Sequence, residues 1–245
     1  MQALRRAGFV AVTDLARELG VSDMTIRRDL RKLEEEGEVR IVRGGVSLPH
    51  GSLKAGSFVG RADRNAAAKR EIATAALRLV APNDAIAIDA GTTTYAVIEV
   101  LPESFNGAVV THSIPVVEHA LTHGRSRLIC LGGDLLVESR AFVGPMTVEG
   151  TSRLRVRTFF VGAAAVDERG VYVSADAERP TKLALMGIAD QVVLLVDHTK
   201  FSQSAPVLLC DLDALGAVVT DRPPMSPISD ELRRRGVELH LAKER

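Results

Sequence analysis

The residues of this chain best suited to chemistry follow an apolar strand that ends on an acid. AIAIDAGTTTYAVIEVL (85–101) sets Asp89 at the strand end, then Gly91, then Thr92, Thr93 and Thr94 where an amphipathic helix opens. Backbone N–H groups at a helix start, joined by threonine hydroxyls, make an anion site. Asp89 would repel a phosphate directly, so the partner expected for it is a sugar hydroxyl or a loop amide. A plain strand-to-helix turn capped by threonine accounts for the same residues equally well. VVTHS (109–113) and LGGDL (131–135) also follow apolar strands, which makes Thr111, His112, Ser113, Gly132 and Gly133 candidates to line the same edge. Glu178 and Lys182 lie four apart on one helix face, and by spacing alone read as a solvated ion pair. Lys200, just after QVVLLVD, is a further candidate. Asp89, Glu178 and His112 are of types used in acid–base catalysis, yet no tight constellation is legible among them.

These residues need a scaffold, and the apolar pattern supplies one. AIAID (85–89), AVVT (108–111), RLICLGG (127–133), RTFFVGA (157–163), QVVLLVD (191–197) and AVVTD (217–221) are short runs rich in Val, Ile and Ala. Amphipathic stretches separate them. That alternation predicts an α/β domain whose parallel sheet is covered on both faces, with ligands gathered at its carboxyl edge.

The first 48 residues follow a different rhythm. Thr13 is expected to cap a helix with Leu15, Ala16 and Leu19 inward, and Gly20 to end it. Ser22 then caps a second helix carrying Ile26, Leu30 and Leu33 on one face. Arg28 falls opposite that stripe, flanked by Met24, Arg31 and Lys32. EVRIV (38–42), a turn at Arg43, Gly44 and Gly45, and VSL (46–48) read as a hairpin. Helix, tight turn, helix and hairpin together read as a winged helix-turn-helix that contacts DNA, with a small helical interaction domain carrying a solvated arginine face as the plainer alternative. Ser22, Thr25, Arg27, Arg28, Arg31 and Lys32 are the expected contacts on the second helix, and Arg40 and Arg43 reach phosphates from the wing. Residues 1–48 hold nine Lys or Arg and eight Asp or Glu, so charge there is sorted rather than abundant. PHGSLKAGSFVGRAD (49–63) has no periodic apolar pattern and reads as a linker, partly ordered. The expected division is 1–48, 49–65 and 66–245.

Across the whole chain, Lys and Arg match Asp and Glu at 31 each, so net charge neither favours nor excludes nucleic acid. Cys130 and Cys210 sit in apolar runs and read as buried reduced thiols; no CxxC pair suggests zinc, and no metal or cofactor is expected. No apolar run reaches the roughly 18 residues of a membrane span, and the N-terminus lacks a signal-peptide core, which gives the cytoplasm as the expected location.

VSDMTIRRDLRKLEEEGEVRIVRGG resembles the N-terminal domain of the DeoR family of bacterial regulators, through Val21, Ser22, Thr25, Ile26, Arg27, Arg28, Asp29, Leu30, Leu33, Gly37, Gly44 and Gly45. MQALRRAG stands where members usually carry a longer first helix. D-x-G-T-T, T-x-S, G-G, the E-x-x-x-K step and D-H-T-K-F (197–201), in that order, resemble the family's sensor domain, so the resemblance covers nearly the full chain. It implies a Rossmann-like domain related to ribose-5-phosphate isomerase and glucosamine-6-phosphate deaminase. It implies further that a phosphorylated sugar or related metabolite, held by Asp89, Gly91 to Thr94, Thr111 to Ser113, Gly132, Gly133, Glu178, Lys182 and Lys200, modulates binding to double-stranded operator DNA. His112 stands where most members have asparagine, and an imidazole there would make affinity depend on pH. The expected protein is thus a repressor of a carbohydrate operon, a homodimer or homotetramer acting without a membrane. Two alternatives stay open at this point: a sugar-phosphate isomerase or deaminase, and a DNA-binding protein whose second domain only oligomerises.

Overall fold

In the computed structural model, residues 9–35, 39–42, 45–47, 58–123 and 126–243 are described. The chain divides into two units at Arg64 and Asn65. In the first, β1 (Phe9–Ala11) leads directly into α1 (Val12–Leu19). Helix α1 therefore starts ahead of Thr13, with Ala11 at its N-cap and no side-chain cap, which corrects the capping role expected for Thr13. Val12 and Ala16 are buried, whereas Leu19 is 63% exposed and does not belong to the inward face assigned to it. Gly20 ends the helix at φ 66°, a left-handed turn in which its N–H reaches Ala16 O.

Ser22 caps α2 (Asp23–Glu35), accepting the Thr25 N–H at 3.2 Å. Ile26 and Leu30 of α2 pack with Val12, Ala16, Val39 and Val46 into a small core, with Leu33 at its margin. The expected hairpin is β2 (Arg40–Val42) and β3 (Gly45–Ser47), paired antiparallel with Ile41 opposite Val46. Gly45 is in the strand rather than the turn, while Arg43 and Gly44 lie outside the described residues. Strand β1 adds a third member, giving the order β1-β3-β2. Phe58–Asp63 forms helix α3 within the stretch read as a linker.

The second unit runs, in chain order, α4 (Ala66–Ala76), β4 (Ala85–Ile88), α5 (Thr92–Val100), β5 (Ala108–Thr111), α6 (Ile114–His123) and β6 (Arg127–Cys130). There follow β7 (Asp134–Leu136), β8 (Ala141–Val143), α7 (Pro145–Thr151), β9 (Val156–Gly162), β10 (Ala165–Val166), β11 (Gly170–Val173) and α8 (Glu178–Gly187). The unit ends with β12 (Ala189–Leu195), β13 (Val207–Asp211), β14 (Ala217–Thr220), α9 (Ser226–Arg234) and β15 (Glu238–Leu241). Seven strands form one sheet in the order β15-β14-β12-β9-β4-β5-β6, every neighbour parallel. Each of the six apolar runs became one of its strands.

Successive side chains of these strands serve opposite faces. Ala87, Val110, Phe159, Val161, Leu194 and Val218 pack against Leu185 of α8 and Ile228 and Leu232 of α9. Ile86, Ile88, Val109, Phe160, Val193 and Val219 pack against α4 through Ile72 and Ala76, and against Ala96, Val97 and Val116. Both faces are therefore covered, as the near-continuous apolar runs require. The chain builds outward from β4 through β5 and β6, then returns to β9 on the other side of β4. Between β4 and β9 the order reverses, and the crevice beyond the carboxyl ends at such a switch point is where open α/β sheets bind ligands.

The two cysteines correct an expectation. Cys130 is exposed and Cys210 half-buried, both as free thiols. β6 is an edge strand, so its final residue has no neighbour on one side.

Candidate functional site

Asp89 leaves the end of β4 with its carboxylate turned into the protein, and its exposure is 0%. Both carboxylate oxygens are taken. Oδ1 faces His112 Nε2 at 3.1 Å, while Oδ2 accepts the Gly162 N–H at 2.9 Å and the Lys182 ammonium. Lys182 also donates to Gly162 O at 3.3 Å. One carboxylate thus joins β4, β5, β9 and α8 at the switch point. Burial pushes the Asp89 carboxyl up, but Lys182 and His112 outweigh it and hold the group well below the usual carboxylate range. The partner expected for Asp89 is a sugar hydroxyl or a loop amide; the backbone amide that it accepts from is that of Gly162, the last residue of strand β9.

The remaining candidates sort by what their polar atoms already do. Thr94 is fully buried, and its hydroxyl lies 2.8 Å from both Asp89 O and Gly91 O, so it braces the turn. Thr93 is buried and Thr92 half-buried, and the N–H groups of all three threonines precede the first bond of α5, Tyr95 N–H to Gly91 O. Gly91 is in extended backbone; a Cβ there would sit 3.1 Å from the Thr94 hydroxyl oxygen, which would have to give way, and in ordinary contact with the Cα of Gly162 at 3.7 Å. The Thr111 hydroxyl donates to Ile88 O at 2.7 Å and accepts the Ser113 N–H at 3.1 Å, which ties β5 to β4. His112 is 1% exposed, with Nδ1 at 2.8 Å from Phe142 O on β8. Ser113 Oγ and Thr181 Oγ1 are buried without a hydrogen-bond partner among the described residues.

Gly132 and Gly133 differ. Gly132 O accepts the Thr147 hydroxyl at 3.0 Å, and a Cβ on Gly132 would meet nothing within 4 Å. Gly133 has φ 155°, and a Cβ on it would lie 2.1 Å from the Thr147 hydroxyl oxygen. Glu178 and Lys182 do not pair with each other. Lys182 is 5% exposed and turned to Asp89, and Glu178 is half-buried and accepts the Ser139 hydroxyl. The solvated pair read from their spacing is therefore overturned: burial of that helix face against the sheet edge redirects both. Lys200 joins a separate cluster at the end of β12, where it donates to Gln203 at 3.0 Å and stands near Asp197.

In the first unit, α2 presents Arg27, Arg28, Arg31 and Lys32 to solvent. The Ser22 and Thr25 hydroxyls lie 3.0 Å apart at its start. Glu34 accepts the Ile41 N–H at 2.6 Å, which fastens the end of α2 to the wing. Arg40 lies on β2, and Arg43 falls outside the described residues.

Against known families, residues 1–51 match the DeoR-like helix-turn-helix domain and residues 64–222 the DeoR C terminal sensor domain. The chain belongs to the DeoR family. Its members with similar sequences include an uncharacterized HTH-type transcriptional regulator, YgbI, of Escherichia coli, 30% identical over 99% of this chain and 95% of that one. The glycerol-3-phosphate regulon repressor of Escherichia coli is 28% identical over 98% and 96%. The repressor GlcR of Bacillus subtilis is 29% identical over 98% and 93%. Among solved structures, ribose 5-phosphate isomerase A of Methanocaldococcus jannaschii aligns with TM-score 0.41 and 19% identity over 56% of this chain and 55% of that one. As a DeoR-family protein the chain is a DNA-binding transcription regulator with a sensor domain, the reading favoured over the isomerase or deaminase alternative. Among the described residues no helix is long and apolar enough to cross a membrane.

Sequence reasoning missed Gly162, Ser139, Thr147 and Asp197. Two of them carried a signal. Asp197 closes an apolar run as Asp89 does, and Gly162 ends another.

Proposed function

We propose that this DeoR-family protein represses a carbohydrate operon and that a phosphorylated sugar or related metabolite, bound at the carboxyl edge of the parallel sheet, weakens its hold on operator DNA. The observation that carries the effector half is the buried Asp89–Lys182–His112 network at the switch point, beside the N–H groups that open α5. Two buried hydroxyls, Ser113 and Thr181, adjoin this network in sequence and offer hydrogen bonds to a polyhydroxylated ligand. The effector contacts proposed are Gly91, Thr92, Thr93, His112, Ser113, Gly132, Glu178, Lys182 and Lys200. Asp89, Thr94, Thr111 and Gly133 shape the site instead, while His112 and Lys182, which are also engaged, would reach the effector by exchanging part of their contact with Asp89. The name of one relative, the glycerol-3-phosphate regulon repressor, supports a phosphorylated metabolite as the signal.

The DNA half rests on the exposed cationic face of α2. Ser22, Thr25, Arg27, Arg28, Arg31 and Lys32 are proposed to enter the major groove, with Arg40 and Arg43 on phosphates. Two or more winged helices of a homodimer or homotetramer would then engage operator half-sites in the cytoplasm.

Melting of the full chain against glycerol 3-phosphate, glucose 6-phosphate, glucosamine 6-phosphate, their unphosphorylated parents and inorganic phosphate tests the first half. A phosphorylated compound at a hundred times its dissociation constant is expected to add about 2.7 kcal/mol of stability. A flat response to the whole panel would favour the oligomerisation reading. For the second half, Arg28→Ala should weaken binding to DNA selected by the wild-type chain by about 1–3 kcal/mol while leaving the ligand-induced melting shift intact. Loss of both would make Arg28 structural.

A further inference from the structure

Asparagine is a favoured helix N-cap, yet Asn65, the first residue of the second unit and the N-cap of α4, makes no side-chain cap bond. Its side-chain amide instead crosses to Asp197 at the end of β12, donating to Oδ1 at 3.3 Å over a separation of 132 residues. The same oxygen accepts the Thr199 N–H at 3.0 Å and the Thr199 hydroxyl. Asp197 is 2% exposed and Lys69, one turn into α4, is 5% exposed. Burial raises the Asp197 carboxyl, but the two Thr199 bonds and the charges of Lys200 and Lys69 outweigh it and leave the group below its ordinary range.

Asn65 also holds a left-handed backbone, φ 53° and ψ 33°. That region is uncommon for residues with a Cβ, and asparagine is among those that enter it most readily. Here Asp197 supplies the hold. The second unit therefore begins on a left-handed residue bonded to a carboxylate whose other neighbour is the Lys200 turn.

Resting on the proposed effector reading, we infer that Asp197 is a positioning residue that carries the occupancy of the Lys200 turn to Asn65, where the second unit begins. An anion arriving at Lys200 competes with Asp197 for the positive charge of Lys200 and Lys69. The turn His198–Phe201, which Asp197 caps, shifts with it. Asn65 is then held less firmly and moves toward another backbone conformation, which loosens the first turn of α4. Two arrangements of one residue, biased from the ligand edge, are the kind of element that coupling between sites requires.

Hydrogen exchange of the full chain, followed at the amides of residues 69–73, the first that bond within α4, tests this. In the wild type, exchange there is expected to be slow without ligand. It should quicken about fivefold, a change of order 1 kcal/mol, when the panel compound with the largest melting shift, or inorganic phosphate, is added. Asp197→Asn should show the quick exchange without any compound and no further response, while keeping its ligand-induced melting shift. Asn65→Gly, which relieves the left-handed backbone and removes the amide, should behave alike and keep the wild-type fold by circular dichroism. Equal ligand-free exchange in all three proteins would overturn the link, as would a change spread evenly over the second unit. Because that arm needs no compound, failure of the effector reading is distinguishable: it is a wild-type protein that no phosphorylated compound stabilises.

Discussion

Lys182→Ala is expected to destabilise the second unit by about 3–5 kcal/mol, because it leaves the Asp89 carboxylate charged, fully buried and without its cation. Urea unfolding followed by far-UV circular dichroism measures it. The Gly162 N–H and His112 would remain, but neither replaces an ammonium in contact. Adding Asp89→Asn to Lys182→Ala should recover part of the loss, since an amide costs less to bury than a lone carboxylate. If Lys182→Ala costs under 1 kcal/mol, roughly what an exposed ion pair is worth, the network is not the buried bridge described above.

The same group makes a prediction about acid. The folded-state pKa of Asp89 lies below its value in the unfolded chain, about 3.9. Its contribution is therefore fully present above that unfolded value and is lost as pH falls toward the folded one. Stability measured downward from about pH 5 should decline more steeply in the wild type than in Asp89→Asn.

Gly133→Ala is the second large effect. The left-handed backbone at φ 155° costs about 1–3 kcal/mol for a residue with a Cβ. The methyl group would also press on the Thr147 hydroxyl and on Val143 O, adding about 1–3 kcal/mol of overpacking. Gly132→Ala, one residue earlier, should change thermal stability little, because its Cβ enters open space. Melting of both variants decides it; equal shifts would show that the loop rearranges freely.

That contrast shows where sequence reading stops. Gly132 and Gly133 are alike as letters, and the backbone angle of Gly133 with the approach of Thr147 and Val143 O separates them. The parallel sheet was legible because each buried strand is a run of Val, Ile and Ala, whereas β15, ELHL, alternates at the sheet edge and carries no such mark. The antiparallel β10-β11-β13 sheet was likewise not foreseen. Helix α2 was legible through Ser22, Ile26 and Leu30, but Thr13 was misplaced because β1 enters α1 with no turn between them. At the candidate site, Asp89 stood out locally as an acid after an apolar strand. Its partner did not: a Glu and a Lys four apart on a helix look solvated until the fold buries one of them.

The Asp89–Lys182 contact spans 93 residues of chain. During synthesis Asp89 therefore emerges about 5–20 s before its cation, at ordinary rates of elongation. Strands β4, β5 and β6 are complete in that interval, yet closing them over an unpaired acid would bury a bare charge. That cost disfavours early closure of the half of the sheet made first, before Gly162 of β9 and Lys182 of α8 are available to the acid. Premature collapse is discouraged by the same carboxylate that later fastens the finished site.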